Sequence, residues 1–392
     1  MSFLSLSPAR KSAAPLFIYL FLLASIGTIS IPTRALFLTE ELGGSKFENG
    51  LSFALPALAS IFILPWMGDR SDSLRDRRII ISINLLIIAA SFMVISMAHT
   101  AWFFIMLTLI FTPAFATANS QFFAWAQERE KERFGDQATE SGELRMGYIA
   151  GWVVAPVVGG LLLTWGLTYR NLFQLQTFAY IALAALIWAF ARAKTIQPKQ
   201  TGERFSWLRW RSMPQNLLYV ALFVGLVLSG DIVRLANLAL FIHKNISTAA
   251  IDVTIAFSAT PLMEVPATAL CIYLARRISK KHVLAIGVVA GLIHFGLSPF
   301  ATSLGQVVIL QALYAFVPAS ALGVGIAYAQ ACAPDRMGFA TSFVFAGQSL
   351  AILLGGAIAA FGGLWLSIEM TYLVPIFTIL LGGYFWSKLE KF

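Results

Sequence analysis

Long apolar runs, separated by short polar stretches, fill this chain from one end to the other. A helix needs roughly 20 apolar residues to cross a bilayer. The runs are apolar on every face, without the alternation of barrel strands, so they predict helices whose backbone groups are paired internally. Twelve spans are predicted, near residues 14–38, 48–68, 79–98, 101–126, 145–167, 172–193, 216–242, 250–275, 282–301, 305–331, 338–362 and 368–387.

The composition is that of a chain surrounded by lipid. Hydrophobic residues make up 58% and charged residues 12%, with a mean hydropathy of +0.77, whereas soluble chains are about half apolar and a quarter charged. The net charge of +9 does not indicate nucleic acid, because the basic residues form short clusters between spans. Cys271 and Cys332 lie in or beside apolar runs without metal-ligand spacing, so we expect neither a metal nor a cofactor.

The basic residues predict the orientation of the spans. Of the 28 Lys and Arg residues, 23 fall on the side that holds both termini and 3 on the opposite side. Cytoplasmic loops carry the excess of basic residues in membrane proteins. We therefore predict a multi-pass protein of the bacterial plasma (inner) membrane, with both termini in the cytoplasm and lipid around a monomer.

The longest polar stretch, 194–215, divides the twelve spans into two sets of six. The predicted domains are an N-terminal six-helix bundle (1–195), a cytoplasmic linker (196–214) and a C-terminal six-helix bundle (215–392). Repeats support a duplication: Ala-Leu-Phe-Leu at 35–38 recurs as Ala-Leu-Phe-Ile at 239–242, and Pro56 recurs as Pro261, at offsets of 204 and 205. An all-α membrane protein with two pseudo-symmetric six-helix bundles has the plan of the major facilitator superfamily, whose substrates bind at the midplane between the halves.

The loop after the second span resembles a signature of that superfamily. The signature has a Gly, an Asp four residues later and then a basic pair. Gly68, Asp72, Arg77 and Arg78 match it, with Asp76 between them. A carboxylate that pairs with arginines or with a helix N-terminus of the other bundle would favour one closed state, which predicts a gating motif. The alternative is an ordinary basic cytoplasmic loop.

The fifth span carries a Gly/Pro pattern that resembles the antiporter pattern of the same superfamily. Small residues four apart let helix backbones approach closely, and a proline can kink a helix beside a moving interface. Plain helix packing is the alternative. The matching residues are Gly142, Gly151, Ala155, Pro156, Gly159 and Gly160, with Ala155 in place of one Gly.

Charged residues inside the spans are candidates for function, because each costs at least ~2.5 kcal/mol at the bilayer centre. Arg34 lies in the first span. Asp231 and Arg234 in the seventh are three residues apart and can pair with each other, so a structural pair and a substrate site are both open. Arg145 at the start of the fifth span either faces inward or extends to the membrane interface.

Glu264 in the eighth span has no charged residue within the ten positions that follow it. Burial of a carboxyl group favours its protonated form, which suits a proton carrier. Glu264 is therefore predicted to be a coupling or substrate residue. The alternative is a structural ion pair with Arg34 or Arg234.

Other polar and aromatic residues in the spans have two interpretations. Amides can hydrogen-bond a hydroxylated substrate or hold one helix to another. Trp125, Tyr148 and Trp152 can stack on a sugar or anchor the chain at the membrane interface. The four histidines share no helical face and receive no role. The amides are Asn119, Gln121, Asn237, Gln311 and Gln348.

Over nearly its full length the chain resembles the sugar efflux transporter family of the major facilitator superfamily. The most specific match is Arg-Ser-Asp-Ser at 70–73 with Asp-Arg-Arg at 76–78. The resemblance implies proton-driven export of sugars, glycosides or related solutes. Family members tend to carry an acid near Asn237, whereas the acid here is Asp231, one to two turns earlier. Further matches are Pro32-Thr33, Leu36-Phe37-Leu38, Gln121-Phe122, Ala124, Arg145, Trp152-Val153, Pro156, Glu264-Val265-Pro266 and Ala275-Arg276-Arg277.

These features predict a secondary active transporter, a proton-coupled exporter of small hydroxylated solutes that works by rocking of its halves. A multidrug/proton antiporter of the same fold is the alternative, and the absence of an appended soluble domain disfavours a receptor or scaffold. An enzyme is not expected, because no nucleophile, base and orienting residue occur at catalytic spacing. The predicted cavity residues are Arg34, Asn119, Gln121 and Arg145 in the first half and Asp231, Arg234, Asn237 and Glu264 in the second.

Overall fold

Helices make up nearly all of the computed structural model, which describes residues 8–72, 76–134, 142–190, 215–333 and 337–390. Twelve successive helical segments run through these ranges, and no strand occurs in them, which confirms the predicted all-α class. The segments are α1 (Pro8–Thr28), α2 (Lys46–Asp72), α3 (Arg77–Ser96), α4 (Ala101–Phe134), α5 (Gly142–Thr164), α6 (Tyr169–Phe190), α7 (Gln215–Asn245), α8 (Ala250–Ala275), α9 (Lys280–Leu297), α10 (Leu304–Cys332), α11 (Met337–Trp365) and α12 (Ile368–Lys388).

The helices have the length and apolar surface of membrane spans. Ten of those in the described ranges are long and apolar enough to cross a bilayer, and Leu16–Thr28 of α1 forms a shorter apolar helix. α2, with 27 residues, exceeds the length that a crossing requires. Large apolar side chains face outward, among them Phe300, Ile309 and Phe377, which are 72%, 69% and 73% exposed. So much exposed apolar surface is that of a protein in contact with lipid.

Two predicted spans are interrupted. The first was expected to be continuous over 14–38, but α1 ends at Thr28 and helix resumes as the short turn Arg34–Leu36, followed by a π-helix over Phe37–Glu41. Pro32 lies in the break, where its missing N–H and fixed φ disfavour a continuous helix. α10 contains a π-helical turn over Ala319–Val324, directly after Pro318. Both predicted spans exist, but neither is a single α-helix.

The buried apolar residues form two clusters. One extends from Tyr19 to Ile187 and the other mainly from Leu217 to Leu389, with Ala35 joining the second. The predicted linker (196–214) lies outside the described residues. The division into two domains therefore stays a prediction, which the two clusters support. We refer to α1–α6 as the N-half and to α7–α12 as the C-half.

The halves meet in two equivalent helix pairs, α2 with α11 and α5 with α8. In the first, a Cβ on Gly50 would overlap the backbone of Ala360; in the second, a Cβ on Gly160 would overlap the hydroxyl of Thr254. Gly50 and Thr254 are separated by 204 residues, which is a repeat offset of the sequence, and Gly160 and Ala360 are separated by a similar 200 residues. Equivalent positions of the two halves therefore meet at both helix pairs. The glycine lies on α2 in the first pair and on α5 in the second. Both contacts lie toward the end of the bundle where α2 begins, the Lys46 end.

Candidate functional site

Arg34 of the N-half lies in an aromatic cage. Its guanidinium carbon is 5.0 Å from the ring centroid of Phe53, 4.9 Å from that of Phe104 and 5.3 Å from that of Phe111. Nη2 donates to the carbonyl oxygen of Ser52 at 3.0 Å, and the buried Nε donates to no described atom. Ring faces attract a cation without a counterion. No carboxylate in the described ranges pairs with Arg34, so donors of this partly buried cation remain available.

Asp231 and Arg234, one turn apart on α7, form an ion pair. Arg234 Nε and Nη2 both donate to Asp231 Oδ1, at 3.1 and 2.8 Å. The Arg234 side chain is 5% exposed and that of Asp231 is 37% exposed. In the described structure, Asp231 Oδ2 accepts no hydrogen bond. The pairing that the sequence allowed is therefore present, and the carboxylate retains an accessible oxygen.

A polar network around Arg234 joins three helices of the C-half. Arg234 Nη1 donates to Gln311 Oε1 of α10 at 2.7 Å and approaches Thr260 Oγ1 of α8 at 3.4 Å. The Thr260 hydroxyl lies 2.9 Å from the carbonyl oxygen of Gln311. The guanidinium also lies over the ring of Tyr314, 4.9 Å from its centroid. Gln311, which the sequence could place only as a substrate or packing amide, serves here as a partner of a buried cation.

The predicted amides have different surroundings. Asn237 Nδ2 donates to the carbonyl oxygen of Val233 at 2.8 Å, so this side chain is bonded to its own helix. Asn119 Oδ1 is buried and has no hydrogen-bonding partner in the described ranges. Gln121 Oε1 accepts from Arg77 Nη1 at 2.5 Å, which places it beside the start of α3. The structure does not bring these three amides together.

The described part of the predicted gating motif is a helix cap. Asp76 accepts a hydrogen bond from Arg78 N at 2.9 Å. It also forms an ion pair with Arg78, whose Nη2 lies 2.7 Å from Asp76 Oδ2. The Arg78 guanidinium lies 4.6 Å from the ring centroid of Trp188. The surroundings of Gly68, the side chain of Asp72 and residues 73–75 lie outside the described part of the structure. A gating role therefore stays a prediction, and capping of α3 is observed.

The glycines of the predicted antiporter motif face both neighbours of α5. A Cβ on Gly151 would overlap the backbone of α1, and one on Gly159 would overlap the backbone of Ile29, directly after α1. A Cβ on Gly160 would overlap Thr254 of α8. Pro156 lies within a helix that continues on both sides of it. The motif thus allows α5 to pack closely against a helix of each half, as small residues do in membrane interfaces.

Glu264 and Arg145 are described only in part. Glu264 is partly buried on α8, one turn after Thr260. Neither Arg34 nor Arg234 forms an ion pair with it in the described structure, so the alternative of a structural pair with either arginine is not observed. The side chain of Arg145 lies outside the described residues, and its role stays a prediction.

The three aromatic candidates divide into core and interface. Trp125 is 6% exposed and packs edge-on against Tyr19, at a centroid distance of 5.9 Å. Trp152 of α5 stacks on Phe257 of α8, with centroids 6.2 Å apart and planes at 14°, and Tyr148 lies 6.3 Å from Trp152. Trp125 is thus a core residue of the N-half, whereas Trp152 lies between the halves.

The Lys46 end is closed by contacts between the halves. Lys46 Nζ donates to the carbonyl oxygen of Leu366 at 2.7 Å. His243 Nε2 lies 2.9 Å from Glu40 Oε1. A pocket of about 470 Å³ borders these side chains. No role was predicted for His243. Glu40 and His243 nevertheless follow the duplicated segments 35–38 and 239–242, and that repeat could have identified them.

Comparison with known proteins agrees with the fold and the membrane spans. The model of the Major Facilitator Superfamily matches residues 16–239, more than half of the chain. The chain therefore belongs to the Major Facilitator Superfamily. It is similar to the structure of the nucleoside transporter NupG, with a TM-score of 0.78 and 13% identity over 96% of this chain and 99% of that chain. A bacterial homolog of the human lysosomal transporter Spinster has a TM-score of 0.76 and 14% identity over 98% and 97%.

The curated relatives are transporters, not enzymes. The chain is 24% identical to sugar efflux transporter A of Escherichia coli (strain K12) over 341 residues, 86% of each chain. It is also 24% identical to sugar efflux transporter B of Salmonella typhimurium over 345 residues, again 86% of each. A multi-drug resistance efflux pump PmrA homolog of Lactococcus lactis is 26% identical over 166 residues, 42% of this chain and 39% of that one. The protein is thus a multi-pass membrane transporter that resembles sugar efflux transporters.

Proposed function

We propose that the protein exports small hydroxylated solutes, such as sugars or glycosides, in exchange for protons by alternating access. The observation that carries this proposal is the partly exposed carboxylate of Asp231, bonded through one oxygen to the buried cation of Arg234. A carboxylate within a membrane transporter is a natural proton carrier. The names of the relatives support a sugar-like solute and the direction of export.

Proton and solute would compete for Asp231. The ionised carboxylate can accept a hydrogen bond from a solute hydroxyl at Oδ2, and protonation weakens that acceptor. Arg234 cannot lose its own proton, so it provides a fixed charge against which the carboxylate titrates. Competition of this kind couples the exit of one ligand to the entry of the other.

Arg34 would bind the solute from the N-half. Its donors are held in place by three rings and one carbonyl group, and no carboxylate in the described ranges occupies them. Hydroxyl oxygens accept from such donors, and the rings of the cage can pack against the apolar face of a sugar. Asn119, whose buried Oδ1 is without a described partner, is a second candidate on this side. Gln121 and Arg145 are proposed further members of the N-half site.

Closure at the Lys46 end supports alternating access. The excess of basic residues assigns the end with both termini to the cytoplasm, so the Lys46 end would face outward. Contacts of Lys46 with Leu366 and of Glu40 with His243 would then form an external gate, closed while the solute enters from the cytoplasm. Two six-helix halves that rock about a central site open and close such gates in turn.

Transport in proteoliposomes tests the proposal and separates the two candidate proton carriers. Wild-type protein should move radiolabelled lactose against its gradient when a pH gradient is imposed. Asp231→Asn should lose this accumulation but keep lactose exchange across the membrane, because the neutral amide cannot carry a proton. Glu264→Gln tests Glu264 in the same way, with Asp252→Asn at the start of α8 as the matched control.

The outcomes distinguish these assignments. Loss in Asp231→Asn alone assigns coupling to the ion pair, and loss in Glu264→Gln alone assigns it to Glu264. If lactose transport by the wild type does not depend on the pH gradient, proton-coupled sugar export is contradicted.

Multidrug/proton antiport is the second candidate function. The similarity to the Lactococcus lactis multidrug pump favours it, as do the rings of Phe53, Phe104 and Phe111, which offer cation–π surfaces. Transport of ethidium without transport of lactose by the same vesicles would support this candidate. The positive charge of Arg34 within the cage opposes it, because that cation repels a lipophilic cation.

A further inference from the structure

A buried polar cluster lies beside the ion pair of α7 and has no part in the proposed cycle so far. His294 of α9 is fully buried, and its ring centroid lies 4.7 Å from that of Tyr314. Arg234 lies over the same tyrosine ring. Tyr372 of α12 packs against Phe295, the neighbour of His294, with ring centroids 6.3 Å apart. Four helices thus bring an imidazole and two phenols together around one guanidinium.

Three polar atoms of this cluster have no hydrogen-bonding partner among the described residues. They are Nε2 of His294 and the hydroxyl oxygens of Tyr314 and Tyr372, and all three are buried. Native proteins contain few such atoms, because an unpaired buried polar atom is costly. Both phenol groups lie within electrostatic range of the Arg234 guanidinium, which is directly over the ring of Tyr314. The position of these three atoms suggests that they gain hydrogen-bonding partners when the Asp231–Arg234 ion pair is broken.

The tautomer of His294 follows from its one hydrogen bond. Nδ1 lies 2.9 Å from the carbonyl oxygen of Leu310. A carbonyl oxygen only accepts, so Nδ1 carries the proton, and in the neutral imidazole Nε2 is then an acceptor. Among the described residues, the charged and titratable groups beside His294 are Arg234 of α7 and Tyr314 of α10, and Tyr372 of α12 packs against the neighbouring Phe295. The cluster therefore offers an acceptor nitrogen near a guanidinium that only donates.

We propose that His294 is a positioning residue for proton coupling: when Asp231 is protonated, Arg234 turns from it to His294 Nε2, directly or through a water held by Tyr314 and Tyr372. The inference rests on the proposed function, in which Asp231 takes up the proton. A protonated carboxyl is a weaker partner for a guanidinium than a carboxylate, and a buried guanidinium needs acceptors in both states. His294 thereby stabilises the protonated state and sets the pH range of exchange.

Two substitutions of His294 separate its two nitrogens. His294→Asn keeps an amide donor at the position of Nδ1, for the carbonyl of Leu310, and removes the acceptor at Nε2. His294→Gln places an amide oxygen near the position of Nε2 and restores that acceptor. The matched control is His282→Asn, because His282 belongs to the same helix but lies at its start, where Nδ1 is 2.6 Å from Ser279 Oγ.

The experiment measures initial rates of lactose exchange by each purified protein in proteoliposomes over a series of pH values. In His294→Asn the pH midpoint should move to lower pH by about one unit or more, the size expected for a lost charge-assisted hydrogen bond. The direction follows because a protonated state without its acceptor forms only at higher proton concentration. His294→Gln and His282→Asn should keep midpoints close to that of the wild type.

A wild-type midpoint in His294→Asn overturns the inference, and so does a lower rate at every pH without a shift. If that variant does not fold, Tyr314→Phe and Tyr372→Phe replace it. Each should shift the midpoint in the same direction, and unchanged midpoints in both overturn the inference. A wild-type rate that does not depend on pH instead contradicts the proposed function, whatever the variants do.

Discussion

The two arginines carried by the first helical span of each half have opposite surroundings. Arg34 lies among three phenylalanine rings and donates to one backbone carbonyl group. Arg234 is bonded to a carboxylate, an amide and a hydroxyl group. A cation inside the protein can thus be stabilised by ring faces, which leave some of its donors unoccupied, or by a carboxylate counterion. In the function we propose, the N-half binds the solute and the C-half binds the proton.

The largest expected difference between the two arginines is in stability. Asp231→Ala leaves the Arg234 cation buried without its counterion, which should lower the free energy of unfolding by roughly 3 kcal/mol. Arg34→Met removes no counterion and should lower it by less than ~1 kcal/mol. Thermal unfolding in detergent measures both, and the double variant Asp231→Ala/Arg234→Met should recover most of the loss. Equal destabilisation by Asp231→Ala and Arg34→Met would break the comparison.

The second-largest effect on stability is expected where α5 of the N-half crosses α8 of the C-half. Gly160→Val would force the added side chain against Thr254 and should destabilise the state closed at the Lys46 end by ~1–3 kcal/mol. Gly296→Val is the matched control, because a Cβ on that helical glycine meets nothing within 4 Å. Cross-linking of cysteines introduced at Glu40 and His243 reports the closed fraction. If both valine variants cross-link alike, the Gly160 contact does not support the closed state.

Arg34→Lys tests the aromatic cage itself. An ammonium group lacks the planar fork of the guanidinium and cannot donate to a carbonyl and a solute in the same geometry. We expect the KM for lactose to rise about tenfold, equivalent to ~1.4 kcal/mol, with little change in the pH midpoint. Initial rates in proteoliposomes measure both quantities. A shifted pH midpoint with an unchanged KM would indicate that Arg34 acts in proton binding and not in solute binding.

The contact between Glu40 and His243 at the Lys46 end should have the smallest effect. Glu40 and His243 are 40% and 32% exposed, so their interaction contributes only ~0.2–1 kcal/mol. Glu40→Gln should therefore change the closed fraction by no more than about fivefold. Cross-linking of cysteines introduced at Lys46 and Leu366 measures that fraction. A complete loss of closure would show that the contact of Glu40 with His243, and not the crossing of α5 with α8, keeps the Lys46 end closed.

Much of the fold could be predicted from the apolar pattern alone. Long runs identified the spans, because lipid admits only helices of a fixed minimum length. The sequence repeats indicated two duplicated halves, but the helix crossings of Gly50 with Ala360 and of Gly160 with Thr254 emerged only from the structure. The break before Arg34 was not predicted, because membrane helices tolerate proline and Pro32 alone did not indicate an interruption.

The candidate site was predictable only as a set of residue types. Asp231 and Arg234 could be paired from their spacing, because residues three apart share a helix face. The cage of Arg34 and the partnership of Arg234 with Gln311 join helices that are distant in sequence, and no local pattern reports such contacts. His294 was missed for the same reason, since its surroundings come from three other helices.

Proton release on solute binding tests the central assignment most directly. Lactose added to purified protein in weakly buffered detergent solution should release protons, because solute and proton compete for Asp231, and a pH-sensitive dye records the change. Asp231→Asn should bind lactose without releasing protons, and Arg34→Lys should release them only at higher lactose concentration. Proton release by Asp231→Asn equal to that of the wild type would contradict the account.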